Sequence, residues 1–590
     1  MKDVLKYYMW GYQQHFQLGI QHQAEEVFQT LSENIKPTVF LLGILRKSVE
    51  DYYPICIEPE ECGIEVDSFK NVDKLASEIH DADPRKNCLH TNVHHHQRFQ
   101  EDLKIECLHK AVKQLVDKNF EGKGKVSFVS YPVMYDNYET FIILQFDENV
   151  YNKFYSLNRS EVEIHELRTV NVRKSLIDAL VYEYLNEVKD LLYRPRPGVG
   201  FNGMKTDIKE LLRIAAKNFV GTAISAATDS TGTYELFDIC NYISSLKYEG
   251  DSTIGKLIIC KEDHPNINVL LRLTNPIKLQ DHRKVRKLLE IASDNLHLYT
   301  NGDKIIGFAE LKGQYNSSDE NLLIVNFTGS HKWELIHDSH TMMIVEYTNP
   351  RLPISKIDKI IFYSTLNRIF DDISSDNLDS LWNVVISATE QKHGTLIIIS
   401  NNAINEVKRL ENQSTNIEPL LPDGNIIKSI TSIDGAVILD TNCMCHSIGV
   451  ILDGLASING TSGRGARYNS AIRYVDGHEG ECAAIIISED GMVDLYPQLK
   501  PQIKKSELEE YLAQLRYEVG LDKVDYDKFR PIMNWFGEHE FYLSGELCDE
   551  INELKKEFNS KLNMEGGAFY IQYRDYEPNS EMNDSYFLEE

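Results

Sequence analysis

Stretches of apolar periodicity along the chain predict a multidomain α/β protein. In the first 200 residues, apolar positions at helical spacing predict helices over 5–30, 105–120 and 171–193. The segments VSFVSYPVMY and TFIILQF predict a pair of strands. The last helix runs into RPRPGVG (194–200), where prolines and glycines end regular structure. We therefore expect residues 1–200 to form an N-terminal α/β region.

Residues 201–348 predict a second module, of the α/β or α+β class. Helices are expected at IKELLRIAAKNFV and DHRKVRKLLEIA, and strands at KLIIC, NVLLRL, LLIVNF and MMIVEY. The Asn301-Gly302 pair stands between alternating apolar residues, which predicts a β-hairpin. The segment NPRLP (349–353) is expected to link this module to the next.

Residues 349–505 predict a mixed central β-sheet flanked by helices. Two helices are expected near 355–371 and 376–391, before the strands GTLIIIS, AVILD, HSIGVILD, CAAIIIS and MVDLYP and the helices NAINEVKRLEN and ARYNSAIRYV. The strands are almost continuously apolar, which is typical of strands covered on both faces. Residues 506–590 predict a helical C-terminal extension that ends in an acidic tail.

Charge and composition restrict the classes of partner. The chain has 62 Lys and Arg residues against 90 Asp and Glu residues, a formal net charge of −28. Such a surface repels phosphate backbones, so we expect no broad nucleic-acid binding. The basic residues of 282–287 have helical spacing and predict a solvated helix face.

The cysteines and the absence of long apolar runs indicate the cellular compartment of the protein. The ten cysteines are scattered and match no disulfide or zinc-finger spacing, which favours a reduced, cytoplasmic setting. The first 30 residues lack the apolar stretch of a signal peptide. The longest apolar runs, Leu396–Ile399 and Ala483–Ile487, are far below the ~20 residues that span a bilayer, so no membrane segment is expected.

Candidate chemistry begins at Asp434-Gly435-Ala436, which opens a predicted strand. A carboxylate at the mouth of a strand, followed by glycine, leaves room for a ligand close to the backbone. A carboxylate oxygen also suits Mg²⁺ or Mn²⁺. Asp434 is therefore a candidate metal ligand.

A second candidate lies in SGRGARYNSA (462–471), where glycines precede a predicted helix. Backbone N–H groups at such a helix start favour an anion. Arg467 and Ser470 share a helix face and offer a fixed charge and a hydroxyl to phosphate oxygens. Ser488 and Glu489 end a predicted buried strand at the same sheet edge. Each feature alone is ordinary, and it is their order and shared edge that favour a nucleotide site.

Four segments of the sequence together resemble a known family. GTLIIIS (394–400), DGAVILD (434–440), GARYNSA (465–471) and IIISEDGMVDL (485–495) are similar to the diadenylate cyclase domain, the nucleotide-binding domain of the DNA-integrity-scanning proteins. The resemblance covers ~150 residues. Residues 205–315 more weakly resemble a probable sensor module found fused to such domains, through LFDICNYISSLKYEG, GKLIIC and DHRKVRKLLEIA.

The resemblance implies an enzyme that joins two ATP molecules into cyclic di-AMP and releases two pyrophosphates with Mg²⁺ or Mn²⁺. Catalysis then needs a face-to-face homodimer or a higher oligomer, because each chain carries one motif set. The catalytic residues implied are Asp434, which matches the carboxylate that binds metal and helps to activate the ribose 3′-hydroxyl, and Arg467, which matches a phosphate-binding arginine. The other nucleotide-binding positions implied are Gly435, Ala436, Leu452, Gly465, Ala466, Asn469, Ser470, Ser488 and Glu489. Among them, Leu452 matches an apolar wall for adenine.

The chain departs from the family at one motif. Where the family has Thr-Arg-His-Arg, this chain has Ala466-Arg467-Tyr468-Asn469. A working variant cyclase is favoured, while a cyclase of altered substrate preference and a domain that binds nucleotides without joining them remain alternatives. A pure interaction scaffold is the weakest hypothesis.

Three further signals favour ordinary structure. The spacing Gly198-x-Gly200-x-x-Gly203 fits a dinucleotide fingerprint but follows a predicted helix, so a linker is expected. His94–His96, with His90 and Cys88 nearby, predicts a polar surface loop. Cys443-x-Cys445 has no second pair and predicts a turn.

Overall fold

The computed structural model divides the chain into two compact units, Met1–Ile354 and Ser355–Glu590. The structure describes residues 9–32, 34–46, 52–59, 62–88, 91–164, 168–200, 203–228, 235–249, 253–293, 295–353, 357–370, 373–389, 394–457, 459–461, 465–478, 480–488, 493–564, 574–579 and 582–588.

The first unit combines helices with two large sheets. Its helices are α1 (Gln13–Gln29), α2 (Val72–Ala82), α3 (Val93–Phe120), α4 (Glu148–Tyr151), α5 (Leu176–Leu192), α6 (Ile208–Thr228), α7 (Leu236–Ser245) and α8 (His282–Leu289). Its strands are β1 (Thr38–Leu45), β2 (Ile55–Glu58), β3 (Lys125–Val129), β4 (Val133–Tyr135), β5 (Tyr138–Asp147), β6 (Glu161–Ile164), β7 (Arg168–Asn171), β8 (Ile254–Cys260), β9 (Ile267–Lys278), β10 (His297–Thr300), β11 (Lys304–Leu311), β12 (Leu322–Gly329), β13 (Lys332–His337), β14 (His340–Glu346) and β15 (Asn349–Arg351).

Both sheets of this unit confirm local predictions from the sequence. The first has the strand order β2-β1-β5-β3, and β4 also pairs with β5, as expected for the two apolar segments. The second has the order β15-β14-β13-β12-β8-β10-β11-β9. Its β10 and β11 pair antiparallel around Asn301-Gly302, which confirms the hairpin.

A buried polar contact joins the segment after β5 to the second sheet. The carboxylate of Glu320 accepts backbone hydrogen bonds from Asn158 and Arg159. His337 is fully buried, with the Tyr155 hydroxyl 2.6 Å from its Nδ1 and the Tyr315 hydroxyl 3.3 Å from its Nε2. Burial lowers the pKa of His337 below its ordinary 6.5, against the opposing charges of Glu320 and Asp338.

The second unit holds a mixed sheet followed by a helical extension. Its helices are α9 (Lys359–Ile369), α10 (Ser375–Ala388), α11 (Ala403–Arg409), α12 (Gly424–Ile430), α13 (Ala466–Asp476), α14 (Lys505–Gly520), α15 (Tyr526–Glu538) and α16 (Gly545–Met564). Its strands are β16 (Thr395–Ser400), β17 (Thr415–Leu420), β18 (Ala436–Asp440), β19 (Cys445–Val450), β20 (Cys482–Ile487), β21 (Val493–Tyr496), β22 (Ile503–Lys504) and β23 (Phe587–Leu588).

The sheet has the order β17-β19-β18-β16-β20-β21, and only β16 and β18 among these neighbours run parallel. Alternate residues of β16 enter two different cores. Ile397 and Ile399 pack with α9, α10 and α12, whereas Leu396 and Ile398 pack with α11 and α13. Helices therefore cover both faces, which confirms the predicted mixed α/β architecture and explains the continuous apolarity of the strand.

The C-terminal extension has an aromatic core, in which the rings of Phe529 and Phe558 stack at 3.7 Å and those of Tyr511 and Trp535 at 4.1 Å. The helical extension predicted over 506–590 is confirmed by α14, α15 and α16, although α15 contains Pro531. The last described residues pack rather than fray, since β23 pairs with β22 and Tyr586 is buried.

Several local expectations are wrong. His94–His96 lie in the first turns of α3 rather than in a loop, because the Asn92 side chain accepts hydrogen bonds from the His94 and His95 backbone and starts the helix. In the basic stretch, Arg286 is buried and donates to the Leu246 carbonyl oxygen and to Glu290, so that helix face is not wholly solvated. The strand expected at HSIGVILD ends at Val450.

Within the described ranges, every helix is too short or too polar to span a lipid bilayer. None of the ten cysteines, all of which lie in described segments, forms a disulfide, and eight of them are buried as ordinary packing residues.

The buried imidazole predicts a pH dependence of the first unit. Because the folded-state pKa of His337 is lowered, the unfolded chain binds a proton first as the pH falls below 6.5, so stability decreases with acidification. We expect the melting temperature to fall between pH 7 and pH 5, and His337→Gln to flatten that slope. Exposed His95→Gln is the control and should leave the slope unchanged. Equal slopes in wild type and His337→Gln would contradict this assignment.

Candidate functional site

Segments that are far apart in the sequence meet at one edge of the sheet of the second unit. The parallel pairing of β16 with β18 aligns the starts of these two strands. The antiparallel pairings bring the last residue of β20 beside the first of β16, and the last residue of β19 beside the first of β18. Asp434, Leu452 and Ser488 flank these strand ends and therefore lie at the same edge.

The helix that follows the glycine-rich segment brings its arginine to this edge. Nη2 of Arg467, in the first turn of α13, lies 3.6 Å from Oδ1 of Asp434. The Asp434 side chain is 93% exposed and that of Arg467 is 37% exposed. An ion pair so open to water contributes little to stability. The Asp434 carboxylate and the Arg467 guanidinium can therefore separate and bind a ligand at little cost in free energy.

Asp434 reaches this position because two backbones pass unusually close together. Gly435 has φ +111° and Gly449 has φ +62°, a region that L side chains rarely adopt. A Cβ on Gly435 would lie 2.5 Å from the carbonyl carbon of Gly449. The glycine of the Asp-Gly-Ala motif is thus required by the close approach of the start of β18 to β19.

Asn469 holds the loop that precedes α13. Its side-chain Oδ1 accepts the Thr461 backbone N–H at 2.9 Å, and its Nδ2 donates to the Thr461 carbonyl oxygen at 2.9 Å. Nδ2 also lies 3.2 Å from the carbonyl oxygen of Gly465, the residue before the helix. The amide that the sequence suggested as a phosphate donor is therefore bound to the backbone on both sides of residues 462–464.

The other end of α13 holds the same loop at a second point. Asp476 accepts hydrogen bonds from the Ser457 hydroxyl, from Asn459 Nδ2 at 3.2 Å and from the Tyr496 hydroxyl at 2.6 Å. Asn459 also donates to Tyr496. Ser457, Asn459 and Thr461 are thus bonded along the helix from its end back towards its start.

Apolar side chains line the same region. Leu452 is partly buried against the core that α11 and α13 form with the sheet, and Tyr468 and Tyr496 pack on the same core. Leu452 thus has the surroundings expected for an apolar wall, with two aromatic rings in the same cluster.

A partly buried network of charges, which no pattern in the sequence selects, supports the segment after β19. Arg409 of α11 donates to Glu406 and forms a two-pronged pair with Asp453. Tyr474 of α13 donates to the same Glu406 at 2.7 Å. The segment that carries Leu452 is therefore tied to α11 through Asp453, and α11 is tied to α13 through Glu406 and Tyr474. Only the i, i+3 spacing of Glu406 and Arg409 was visible in the sequence.

Hydrogen bonding keeps both carboxylates of this network ionised. Burial raises the pKa of Glu406, but the hydrogen bonds from Arg409 and Tyr474 outweigh burial and leave that pKa lowered. The hydrogen bond from Arg409 also lowers the pKa of Asp453. Because both folded-state pKa values are depressed, the network stabilises the fold above the ordinary carboxylate range and loses that contribution as the pH falls.

The remaining predicted site residues are placed as follows. Ala436 is buried at the start of β18, Gly465 and Ala466 are exposed at the start of α13, and Ser470 and Ser488 are half-buried. Glu489 lies outside the described residues, so its predicted position at this edge stays a prediction.

The opposite end of β18 holds a different set of polar groups. His446 Nε2 lies 2.9 Å from Oδ2 of Asp440, and Cys443 and Cys445 flank the turn into β19, as the sequence predicted. In the part of the chain that the structure describes, no three His, Cys, Asp or Glu side chains converge as a metal site.

The close approach at Gly435 predicts a local loss of stability in Gly435→Ala. The methyl group would clash with Gly449 and the backbone would be strained by about 1–3 kcal/mol. We expect faster amide hydrogen exchange over 436–440 and 445–450. Gly465→Ala is the matched control, because a Cβ there meets nothing within 4 Å and φ is −67°. Unchanged exchange in Gly435→Ala would contradict the packing argument.

Sequence comparisons identify three regions of the chain. Residues 384–500 match the family described as DisA bacterial checkpoint controller nucleotide-binding. Residues 9–220 match the probable sensor domain DACNG and residues 234–339 the probable sensor domain DACNH. No curated protein matches the chain.

Two solved structures share limited similarity with the chain. A hypothetical membrane spanning protein from Bacillus cereus is 20% identical, over 24% of this chain and 67% of that chain, with a TM-score of 0.19. DacA from Staphylococcus aureus, in the form of a double mutant, is 16% identical, over 24% of this chain and 97% of its own, with a TM-score of 0.18.

The family match contains the whole sheet edge from Asp434 to Ser488, including Arg467 and the helix that carries it. Residues 384–500 therefore form a nucleotide-binding domain of the DisA bacterial checkpoint controller family, preceded in the chain by two probable sensor domains.

Proposed function

We propose that the second unit is a diadenylate cyclase, which condenses two ATP molecules into cyclic di-AMP and two pyrophosphates. The observation that carries the proposal is the pair Asp434 and Arg467, 3.6 Å apart at one sheet edge of a domain of this family. A carboxylate and a guanidinium at this separation can act on one triphosphate. The sensor domains would modulate this activity.

The reaction requires two equivalent displacements. The ribose 3′-oxygen of each ATP attacks the α-phosphorus of the other, forming a phosphodiester bond as the α–β anhydride bond breaks. The hydroxyl proton is released to water, and the pyrophosphate departs with the electron pair of the broken bond. Alignment of the attacking and leaving oxygens and neutralisation of charge are the main demands on the protein.

The residues at the edge fit these demands. Asp434 would hold Mg²⁺ or Mn²⁺, which supplies charge neutralisation when bound, and its open carboxylate suits such an ion. Arg467 and Ser470 would bind phosphate oxygens, assisted by the exposed backbone of Gly465 and Ala466 at the helix start. Gly435 and Ala436 allow close approach of the nucleotide, Leu452 would contact adenine, and Ser488 and Glu489 would lie beside the triphosphate.

Turnover requires a second copy of the chain. One motif set binds one ATP, and the two nucleotides must face each other for mutual attack. A two-fold axis between two such edges provides this arrangement. We therefore propose a face-to-face homodimer, or a higher oligomer built from it, as the active form in the cytoplasm.

A second candidate function is a nucleotide-binding domain that does not join its ligands. It is favoured by one observation: Asn469, which replaces the second arginine of the family motif, has its amide bound to the Thr461 backbone. The loss of that positive charge weakens stabilisation of a transition state more than it weakens binding of the ground state. Tight ATP binding with no dinucleotide product would support this candidate.

The proposed cyclase activity is tested with purified full-length protein, ATP, and Mg²⁺ or Mn²⁺, with products identified by mass. We expect cyclic di-AMP and pyrophosphate, and a rate at least about a hundred-fold lower in Asp434→Asn, because a charge-stabilising group is removed. Asp376→Asn is the control, since Asp376 is exposed and its neighbour Asn377 contacts Asn442 at the opposite end of β18. Wild-type protein that forms no dinucleotide with either metal would refute the proposal.

The loop held by Asn469 predicts a positioning effect on the reaction. Asn469→Ala removes both hydrogen bonds to Thr461, so the segment ahead of α13 is no longer held in register with Arg467. We expect a roughly ten- to hundred-fold decrease in kcat/KM, the scale of a small misplacement, with the fold retained. Asn405→Ala, at an exposed position of α11, should have no effect. Equal kcat/KM values in the two variants would show that the loop needs no such support.

A further inference from the structure

A cleft in the first unit lies between the regions that match the two probable sensor domains. It has a volume of about 620 Å³ and is lined by α6, by α7 and by two turns of the second sheet. Pockets of roughly 300–1,000 Å³ at domain junctions are common sites for small ligands. Nothing in the proposed cyclase chemistry uses this cleft.

The cleft forms because two helices turn polar faces to each other. On α6, Arg213 and Lys217 are four residues apart and share a face. On α7, Asp238 and Tyr242 are four residues apart and face them across the cleft. Phe237 contributes apolar surface to the lining.

The turns at the rim are held in one conformation. His331 and Thr348 have φ of +57° and +65°, in the left-handed region that residues other than glycine seldom adopt. The His331 backbone N–H donates to the Ser244 carbonyl oxygen of α7 at 2.9 Å, and its ring stacks on Tyr347. The rim is therefore preorganised against the helix that forms the opposite wall.

Charges in the cleft cancel. Arg213 donates to Glu210 at 3.1 Å, and Lys217 is paired with Asp238. Among the described lining residues, two cations and two carboxylates balance, apart from His331. A polyphosphate would bring several negative charges next to two carboxylates, with no additional cation to offset them. A ligand with one carboxylate and one amine could instead pair its carboxylate with a cation of the cleft and its amine with a carboxylate of the cleft.

One edge of the Arg213 guanidinium is not satisfied. Its Nη1 donates to Glu210, but its Nε is shielded from solvent and has no acceptor among the described residues. A shielded donor without an acceptor carries a free-energy cost. The Nε–Nη2 edge of arginine matches the two oxygens of a carboxylate. A carboxylate that enters the cleft and draws this edge towards it would remove the cost.

We propose that this cleft binds a small zwitterion, of the class of free amino acids and short peptides. Its carboxylate pairs with the Nε–Nη2 edge of Arg213, and its ammonium group pairs with Asp238. Phe237 and Tyr242 provide a surface for the side chain of the ligand. The first unit would then sense an amino compound, independently of the activity of the second unit.

The proposal is tested by calorimetric titration of the full-length chain with each of the twenty L-amino acids and glycylglycine. Succinate and inorganic phosphate test anions alone, and putrescine tests amines alone. We expect at least one zwitterion to bind, and Arg213→Lys to weaken it about ten-fold or more, because lysine keeps the charge but loses the two-pronged edge. Asp238→Asn should weaken the same ligand.

Arg272→Lys is the matched control, since Arg272 pairs with Glu262 on the second sheet and does not line the cleft. It should leave the affinity unchanged, and thermal melting should show that the variants are folded. Three results would overturn the proposal: no binding by any zwitterion, binding of succinate, phosphate or putrescine alone, or equal zwitterion affinity in wild type and Arg213→Lys.

Discussion

The entry to β18 passes so close to Gly449 of β19 that Gly435 has no room for a side chain in its observed conformation. This contact fixes the point at which the chain enters β18, and with it the position of Asp434. The core that α11 and α13 form with the sheet fixes the other partner, because it sets where the first turn of α13 carries Arg467. The 3.6 Å separation of the two charges is therefore a consequence of backbone packing rather than of their own attraction.

Around this point the protein is rigid where a ligand needs support and open where a ligand must enter. Asn469 and Asp476 fasten residues 459–461 along α13, and Arg409 fastens Asp453 to α11. Asp434, in contrast, is almost fully exposed to water. Such an arrangement suits a site whose partner charges arrive with the substrate, since a triphosphate brings its own anionic oxygens and a divalent cation. The net charge of −28 does not oppose this, because the edge itself presents a guanidinium and helix-end amides.

The sequence predicts those features that depend on local pattern. The continuous apolarity of Leu396–Ile399 indicates a strand covered on both faces, and the structure has helices on both. Motif order places Asp434 and Arg467 at one edge because strand ends in a mixed sheet meet there. The partners of Asn469 could not be predicted, since a side chain that binds a loop backbone leaves no periodic signal. The same holds for Arg409, whose role depends on Asp453, 44 residues away in the chain.

The most direct measurement of the central claim is a double-mutant cycle on the affinity for a non-hydrolysable ATP analogue with Mg²⁺. The variants are Asp434→Asn, Arg467→Met and the combination. If both side chains act on one triphosphate, their effects on the binding free energy are coupled by about 0.5–3 kcal/mol, as for groups that share a partner. If the loss of binding free energy in the double variant equals the sum of the two single losses to within about 0.3–0.5 kcal/mol, the two residues serve separate sites, which would contradict the account.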